Sequence, residues 1–185
     1  MKYFPKIRGT RLYLSPISLE DAETYTQWLN DLETTRYLTL ASAQLTLQGE
    51  REHLPAISSG HTYAIVEKEQ DRLIGNCGLM DLEATNRTAE VGIFIGAPEA
   101  RGKGYGSEAL RLLCDYAFNV LNLRSLVLRT YDYNERAIAS YRKVGFKEIG
   151  RRRQAHFYAG AYHDLVYMDL LAEELGPSVL PPAQC

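Results

Sequence analysis

The chain has 185 residues, 45% of them hydrophobic and 24% charged, which are the values of a globular chain and exclude a disordered one. A chain of this length suits a single domain and can bury roughly 70% of the surface it exposes when unfolded, so it needs no metal or disulfide staple to fold. Its 21 basic and 23 acidic side chains give a net charge of -2, which argues against a general affinity for nucleic acid or an anionic membrane.

Taken in order, Arg11 to Ile17 alternates apolar and polar residues and predicts a strand. Ser18 follows as a helix N-cap, with Glu20, Asp21 and Glu23 placing negative charge at the positive end of the helix dipole. That helix is expected to run through Trp28 to about Leu32. A second is expected over about Leu47 to Ile57, ending or bending at Pro55. Thr62–Lys68, Arg72–Met80 and Thr88–Ile95 read as three strands of an antiparallel meander, with Gly75 and Gly78 marking bulges or close approach. Residues 96–106 are rich in glycine and lead into a helix whose Leu110, Leu113, Ala117, Val120 and Leu121 share one face. Ser125–Thr130 reads as a strand and Asn134–Val144 as a helix closed by Gly145. Phe146–Tyr158 and Tyr162–Leu171 read as a hairpin turned at Ala159-Gly160. Residues 1–174 are expected to form one domain and residues 175–185 a C-terminal tail. This order predicts an α+β domain around one mixed sheet.

The three cysteines, Cys77, Cys114 and Cys185, are far apart and form neither a CxxC pair nor a zinc-spaced cluster. Reduced thiols, a cytoplasmic location and no metal are expected. The N-terminal residues carry no apolar run long enough for a signal peptide, and no stretch of ~18 apolar residues occurs, so neither secretion nor membrane spanning is expected.

The segment Arg101-Gly102-Lys103-Gly104-Tyr105-Gly106 lies between a strand and a helix. Its glycines allow several backbone N–H groups to converge, and the helix N-terminus adds partial positive charge, which makes a site for phosphate oxygens. Arg101 and Lys103 add full charges. A Walker A loop requires a Lys-Ser or Lys-Thr step that is missing here. A dinucleotide fingerprint started at Gly102 requires glycine where Ser107 stands. A glycine-rich turn without a ligand remains the plain alternative.

The company of this loop decides between them. RGKGYG resembles the Arg/Gln-x-x-Gly-x-Gly/Ala loop with which the GNAT superfamily of N-acetyltransferases grips the pyrophosphate of acetyl-coenzyme A. Downstream, Asn134 to Phe146 resembles that superfamily's N-x-x-A-x-x-x-Y-x-x-x-G-F motif, in the right order and one helix and one strand away. The likeness covers about residues 7–171 and extends to the branch that holds ribosomal-protein N-terminal and polyamine acetyltransferases. It implies a splayed, mostly antiparallel sheet flanked by helices, with acetyl-CoA lodged where the strand at 88–95 parts from the strand at 125–130. The diphosphate would be held by Arg101, Gly102, Lys103, Gly104, Tyr105, Gly106 and Ser107, the pantetheine arm by main-chain groups of Phe94 and Ile95. Asn134, a helix cap by sequence, also contacts the cofactor by resemblance.

Acetyl transfer to an amine requires a base and an acid on opposite sides of a thioester. Glu90 is the candidate base: it shares a strand face with Gly92 and Phe94, opposite Ala89, Val91 and Ile93, and the resemblance implies that it works through water. The alternative is an exposed strand glutamate paired with a neighbour. Tyr141 falls on the motif tyrosine and is the candidate acid, with a core aromatic as the alternative. No histidine or cysteine is placed as a nucleophile in either motif, which favours direct attack. His156 and Asp164 face each other only if the hairpin register allows it, and Tyr131 and Tyr133 either line the acceptor pocket or pack. His53 and His61 have no evident partner, and Arg151 to Arg153 read as a solvated run. The function expected is acetyl-CoA-dependent transfer to a primary amine, with the N-terminal amine of a protein first and a polyamine, aminosugar or antibiotic second. A non-catalytic acyl-CoA-binding module is the rival class, separable by thiol release. The oligomeric state is open, a homodimer included.

Overall fold

The alternating pattern of the N-terminal half folds into five strands: β1 (Ile7–Arg8), β2 (Leu12–Pro16), β3 (His61–Glu67), β4 (Arg72–Glu83) and β5 (Thr88–Ile95). The structure, a computed structural model, describes residues 2–181; Cys185 lies outside the described residues. Three helices lie between β2 and β3: α1 (Ala22–Leu29), α2 (Leu32–Thr35) and α3 (Leu47–Ser58). After β5 come α4 (Tyr105–Asn119), β6 (Ser125–Tyr131), α5 (Glu135–Val144), β7 (Lys147–Tyr158) and β8 (Ala161–Leu171).

All eight strands join one sheet in the order β1-β2-β3-β4-β5-β6-β8-β7. Every neighbouring pair is antiparallel except β5 and β6, which run parallel. A parallel pair needs a crossover, and α4 supplies it. The expected α+β architecture and meander are present.

Three expectations change in detail. The first helix stops at Leu29, where Asn30 caps it: its Nδ2 donates to the Thr26 carbonyl at 2.9 Å and to the Leu45 carbonyl at 2.7 Å, and its Oδ1 accepts from the Leu45 amide at 3.1 Å. Asp31 then caps the separate α2, accepting from the Glu33 amide at 3.1 Å. Ser18 caps a short 3-10 turn, Leu19–Asp21, ahead of α1. The helix α3 continues past Pro55 to Ser58, since proline removes only one hydrogen bond and its ring is tolerated here.

The sheet separates two cores. On one face Leu110, Leu113 and Ala117 of α4 and Ile138 of α5 pack on Val91, Leu126 and Leu128. On the other, Tyr25 and Leu29 of α1 and Leu54 of α3 pack on Ala64 and Val66. A fully buried side chain of this size contributes about 1.5–3 kcal/mol. Among the described residues, no helix is long and apolar enough to cross a membrane.

The residues after β8 lie along α4. Arg111 donates to the carbonyls of Leu175 and Pro177. Asp115, fully buried, accepts from Asn119 Nδ2 at 2.6 Å, Ser178 Oγ at 3.0 Å and the Val179 amide at 2.6 Å. Asp115→Ala strips three donors of their acceptor and is expected to lose about 2 kcal/mol of stability. Urea unfolding would show this as a lower midpoint at unchanged slope. A midpoint equal to that of the parent would mean that this docking contributes nothing to the fold.

Candidate active site

Gly102 and Gly104 adopt positive φ of 76° and 84°, and Gly104 is the N-cap of α4. The first intrahelical bond runs from the Glu108 amide to the Gly104 carbonyl at 3.1 Å. The amides of Tyr105, Gly106 and Ser107 therefore precede any helical acceptor and present a positive end to a ligand. Arg11, which the sequence did not single out, braces this loop. Its Nη1 donates to the Lys103 carbonyl at 2.8 Å, its Nε to Glu108 Oε2 at 2.9 Å, and its guanidinium lies over the Tyr105 ring.

The seven loop residues divide by what they touch. Lys103 is exposed. Arg101 does not aim its charge outward as expected. Its Nε donates to the Ile95 carbonyl at 3.0 Å, and its Nη2 donates to the Gly96 carbonyl at 2.8 Å and to Thr34 Oγ1 at 2.7 Å. Arg101 thus ties the end of β5 to α2, and its burial pulls its guanidinium below the usual range. The same bond narrows the part expected of Ile95, whose carbonyl already accepts. The Tyr105 hydroxyl donates to Glu67 Oε1 at 2.5 Å, away from the loop mouth. Ser107 Oγ lies 2.7 Å from Ser140 Oγ and joins α4 to α5.

Pairing of β5 with β6 covers only Thr88, Ala89 and Glu90 against Ser125, Leu126 and Val127. Beyond that point the strands part, and a cleft of about 930 Å³ opens between them. Glu90, Phe94, Gly104, Ser107, Asn134 and Tyr141 all line it. The sequence-predicted base, acid and loop therefore meet in one space. Glu90 is also paired, since Arg129 Nε sits 2.8 Å from its Oε1. Tyr141 is 9% exposed beside Phe146, and burial pushes its phenol up to about 12. Asn134 caps α5, its Oδ1 accepting from the Ala137 amide at 3.4 Å while its Nδ2 donates to Thr130 Oγ1 at 3.2 Å.

The far side of the cleft is built from α1, α2, α3 and an aromatic stack. Tyr131 lines the cleft, with His156 stacked on it at 3.8 Å and Tyr133 at 5.5 Å. The Tyr133 hydroxyl is engaged by the Arg36 carbonyl. His156 and Asp164 do not face each other: the register sets His156 against His163, and Asp164 accepts from the Gln154 amide at 2.9 Å. Two bulges in β7 cause this offset. His53 lines the cleft, and His61 opens β3. Arg151 is exposed and paired with Glu148 at 2.6 Å. Cys77 and Cys114 are free, buried in the core and pushed far above the usual thiol range by burial, so neither is poised as a nucleophile.

Residues 11–147 match the acetyltransferase (GNAT) domain family. The chain is 32% identical over 163 residues to the spermidine N(1)-acetyltransferase of Escherichia coli (strain K12), across 84% of this chain and 83% of that protein. It is 39% identical over 102 residues to the candidate ribosomal N-acetyltransferase YdaF of Bacillus subtilis, across 55% of each. The crystal structure of spermidine N-acetyltransferase from Vibrio cholerae in complex with CoA and spermine is similar with a TM-score of 0.81 and 25% identity, over 89% of this chain and 98% of that one. A fold with parting strands and a glycine cradle at the crossover helix is that of an acyl-group transferase. The chain belongs to the GNAT family, and it is an acetyl-CoA-dependent N-acetyltransferase.

The cradle fits that cosubstrate. The positive φ at Gly104 is a conformation that costs an L-residue about 1–2 kcal/mol, and a Cβ there would approach Arg11 Nη2 at 3.3 Å. Gly104→Val is therefore expected to reduce acetyl-CoA affinity below detection by calorimetry while circular dichroism shows the fold retained. Unchanged affinity in the folded variant would remove the loop from the binding site.

Proposed function

We propose that the chain acetylates a primary amine by direct attack, with Glu90 drawing the amine proton through a water molecule and Tyr141 donating to the departing sulfur. The observation that carries this reading is the parting of β5 from β6 just beyond Glu90, which opens one cleft to both side chains. Bound acetyl-CoA supplies the activated acetyl carbonyl and a thiolate leaving group.

An aliphatic amine has an ordinary pKa of about 10.4 and arrives protonated at neutral pH. Glu90 is the carboxylate at the parting point, and Arg129 fixes its orientation on β5. Tyr141, held near 12 by burial, keeps its proton throughout the working pH range. Against a thiol of about 8.5 it is the weaker acid by a factor of roughly 3000, or about 5 kcal/mol. Its main contribution is then a fixed hydrogen bond to the sulfur as charge develops there, with full proton transfer completed later.

For the acceptor, a small cationic amine is favoured over the protein N-terminus that the sequence placed first. Glu33, Glu50 and Glu90 line the cleft together with the rings of Tyr37 and Tyr131, and carboxylates with aromatic faces attract ammonium groups. The likeness to spermidine acetyltransferases supports the same choice. The likeness to YdaF supports the second reading, a protein amine. A screen of amines and peptides that reports free CoA separates the two, and the absence of release with every acceptor would leave the binding-module reading in place.

Tyr141→Phe is expected to lower kcat by about 10²–10³-fold with acetyl-CoA affinity unchanged, the scale for removing one oriented donor. Because the phenol sits near 12, wild type should show no falling limb from this group below about pH 10. Turnover near the wild-type rate in the Phe variant would make the tyrosine a packing residue.

Glu90→Gln keeps the shape and removes the base. Its kcat deficit should be largest near neutral pH and shrink as pH rises, because the amine then deprotonates unaided. A deficit of constant size across the pH profile would assign Glu90 to binding or structure.

A further inference from the structure

We infer that Glu50 is a specificity-determining residue whose carboxylate receives a second cationic group of the acceptor, away from the amine that is acetylated, so that diamines are preferred to monoamines. The inference rests on the amine-acceptor reading above and assigns that site a second contact.

Glu50 occupies an unusual place on its helix. Leu47, Leu54 and Ile57 form the apolar stripe of α3 at helical spacing, and Glu50 falls on that stripe. It is 3% exposed, yet it lines the cleft. Three carboxylates line that cleft. Glu33 is paired with Arg36 at 3.3 Å and Glu90 with Arg129 at 2.8 Å. Among the described residues, Glu50 alone of the three has neither an ion pair within 4.0 Å nor a hydrogen bond to its side chain. A buried carboxylate without a counter-charge is disfavoured and normally finds a partner. Burial accordingly pushes its carboxyl above the usual range, opposed only by the nearby His53. His53 is exposed one turn along α3 and makes no ion pair with it.

The sheet leaves a path from Glu50 to Glu90. The face of β4 and β5 that looks toward α3 carries Asn76, Gly78 and Met80 opposite Phe94, Gly92 and Glu90. The central cross-strand pair is Gly78 with Gly92, and the floor above it is made by the Thr62 hydroxyl over Gly78 and the flexible, half-exposed Met80 side chain over Gly92. Thr62 and Asn76 add neutral polar groups to the lining. An extended aliphatic chain can lie on such a floor with one nitrogen at each carboxylate. A purely structural Glu50 accounts for neither its access to the cleft nor its lack of a partner.

The test is steady-state CoA release with a homologous series of α,ω-diaminoalkanes and the matching 1-aminoalkanes, using the full chain as wild type and as Glu50→Gln. Wild type is expected to show one preferred diamine length, with a KM about 10–100-fold below that of the monoamine, the range for a hydrogen bond to a charged group. Glu50→Gln should raise the diamine KM by the same factor and remove the length optimum, while the monoamine KM rises much less. Thermal unfolding at or above the wild-type midpoint would exclude a folding defect, and Glu50→Met, which suits the apolar stripe, serves if the Gln variant fails to fold. Equal KM values for diamines and monoamines in wild type, or a diamine preference that survives in the variants, would overturn the assignment. If no amine releases CoA, the amine-acceptor reading fails by itself. Calorimetric titration of the same diaminoalkanes then still tests Glu50: weaker binding in the variant supports it, and equal binding overturns it.

Discussion

The site depends on where two parallel strands stop pairing. β5 and β6 hold together through Glu90 and Val127 and then separate. Backbone groups released in this way need other partners, since a buried amide or carbonyl left alone costs about as much as a lost hydrogen bond. Arg101 answers part of that need by covering the carbonyls of Ile95 and Gly96. The rest of β5's inner edge faces the cleft and is available to a ligand. Because β5 and β6 are parallel, the crossover helix must begin beyond the carboxyl end of β5, and its N-terminus is delivered to the mouth of the gap.

Local signals made much of this legible in the sequence. Gly102 and Gly104 announced left-handed backbone before a helix, Asn134 announced a cap, and Ala159-Gly160 announced the hairpin turn, with φ of 51° and 84°. Tyr141 was legible because a motif tyrosine also fell on the inner face of its helix. Signals that depend on distant residues were not legible. The Arg101 side chain reads as a free cation of the loop until its partners, Thr34 and two strand carbonyls, are seen. Asn30, which caps α1, is also bonded to Leu45, fifteen residues on. The register of β7 turns on two bulges that no pattern marked. Glu50 did carry a local mark, a carboxylate on an apolar helical stripe, but its meaning required the cleft to be known.

Charge in the cleft is distributed with the same logic. Two of the cleft carboxylates, Glu33 and Glu90, are paired with arginines from α2's end and from β6. These pairs fix side-chain geometry more than they add stability, since partly exposed ion pairs contribute about 0–1 kcal/mol. Arg129 lies on the strand that parts from Glu90's own strand, so the pair spans the gap at its narrow end. It thereby links the orientation of Glu90 to the degree of opening. A change in the splay moves the carboxylate as well as the cleft wall.

The sheet also acts as a partition. α4 and α5, joined by Ser107 and Ser140, lie on one face with the glycine cradle, Asn134 and Tyr141. α1 and α3 lie on the other with Glu50 and the floor of β4 and β5. Elsewhere the strands are sealed by hydrogen bonds, so groups on opposite faces reach each other only where β5 and β6 have parted. The donor of the acetyl group and its acceptor can thus be recognised by separate sets of side chains and still meet. Tyr141 comes from the face of α4 and α5 and Glu90 from the face of α1 and α3, so the two side chains enter the cleft from opposite faces of the sheet. Side chains on the α1 and α3 face can then change without disturbing the cradle on the other, which fits one fold serving relatives with different amines.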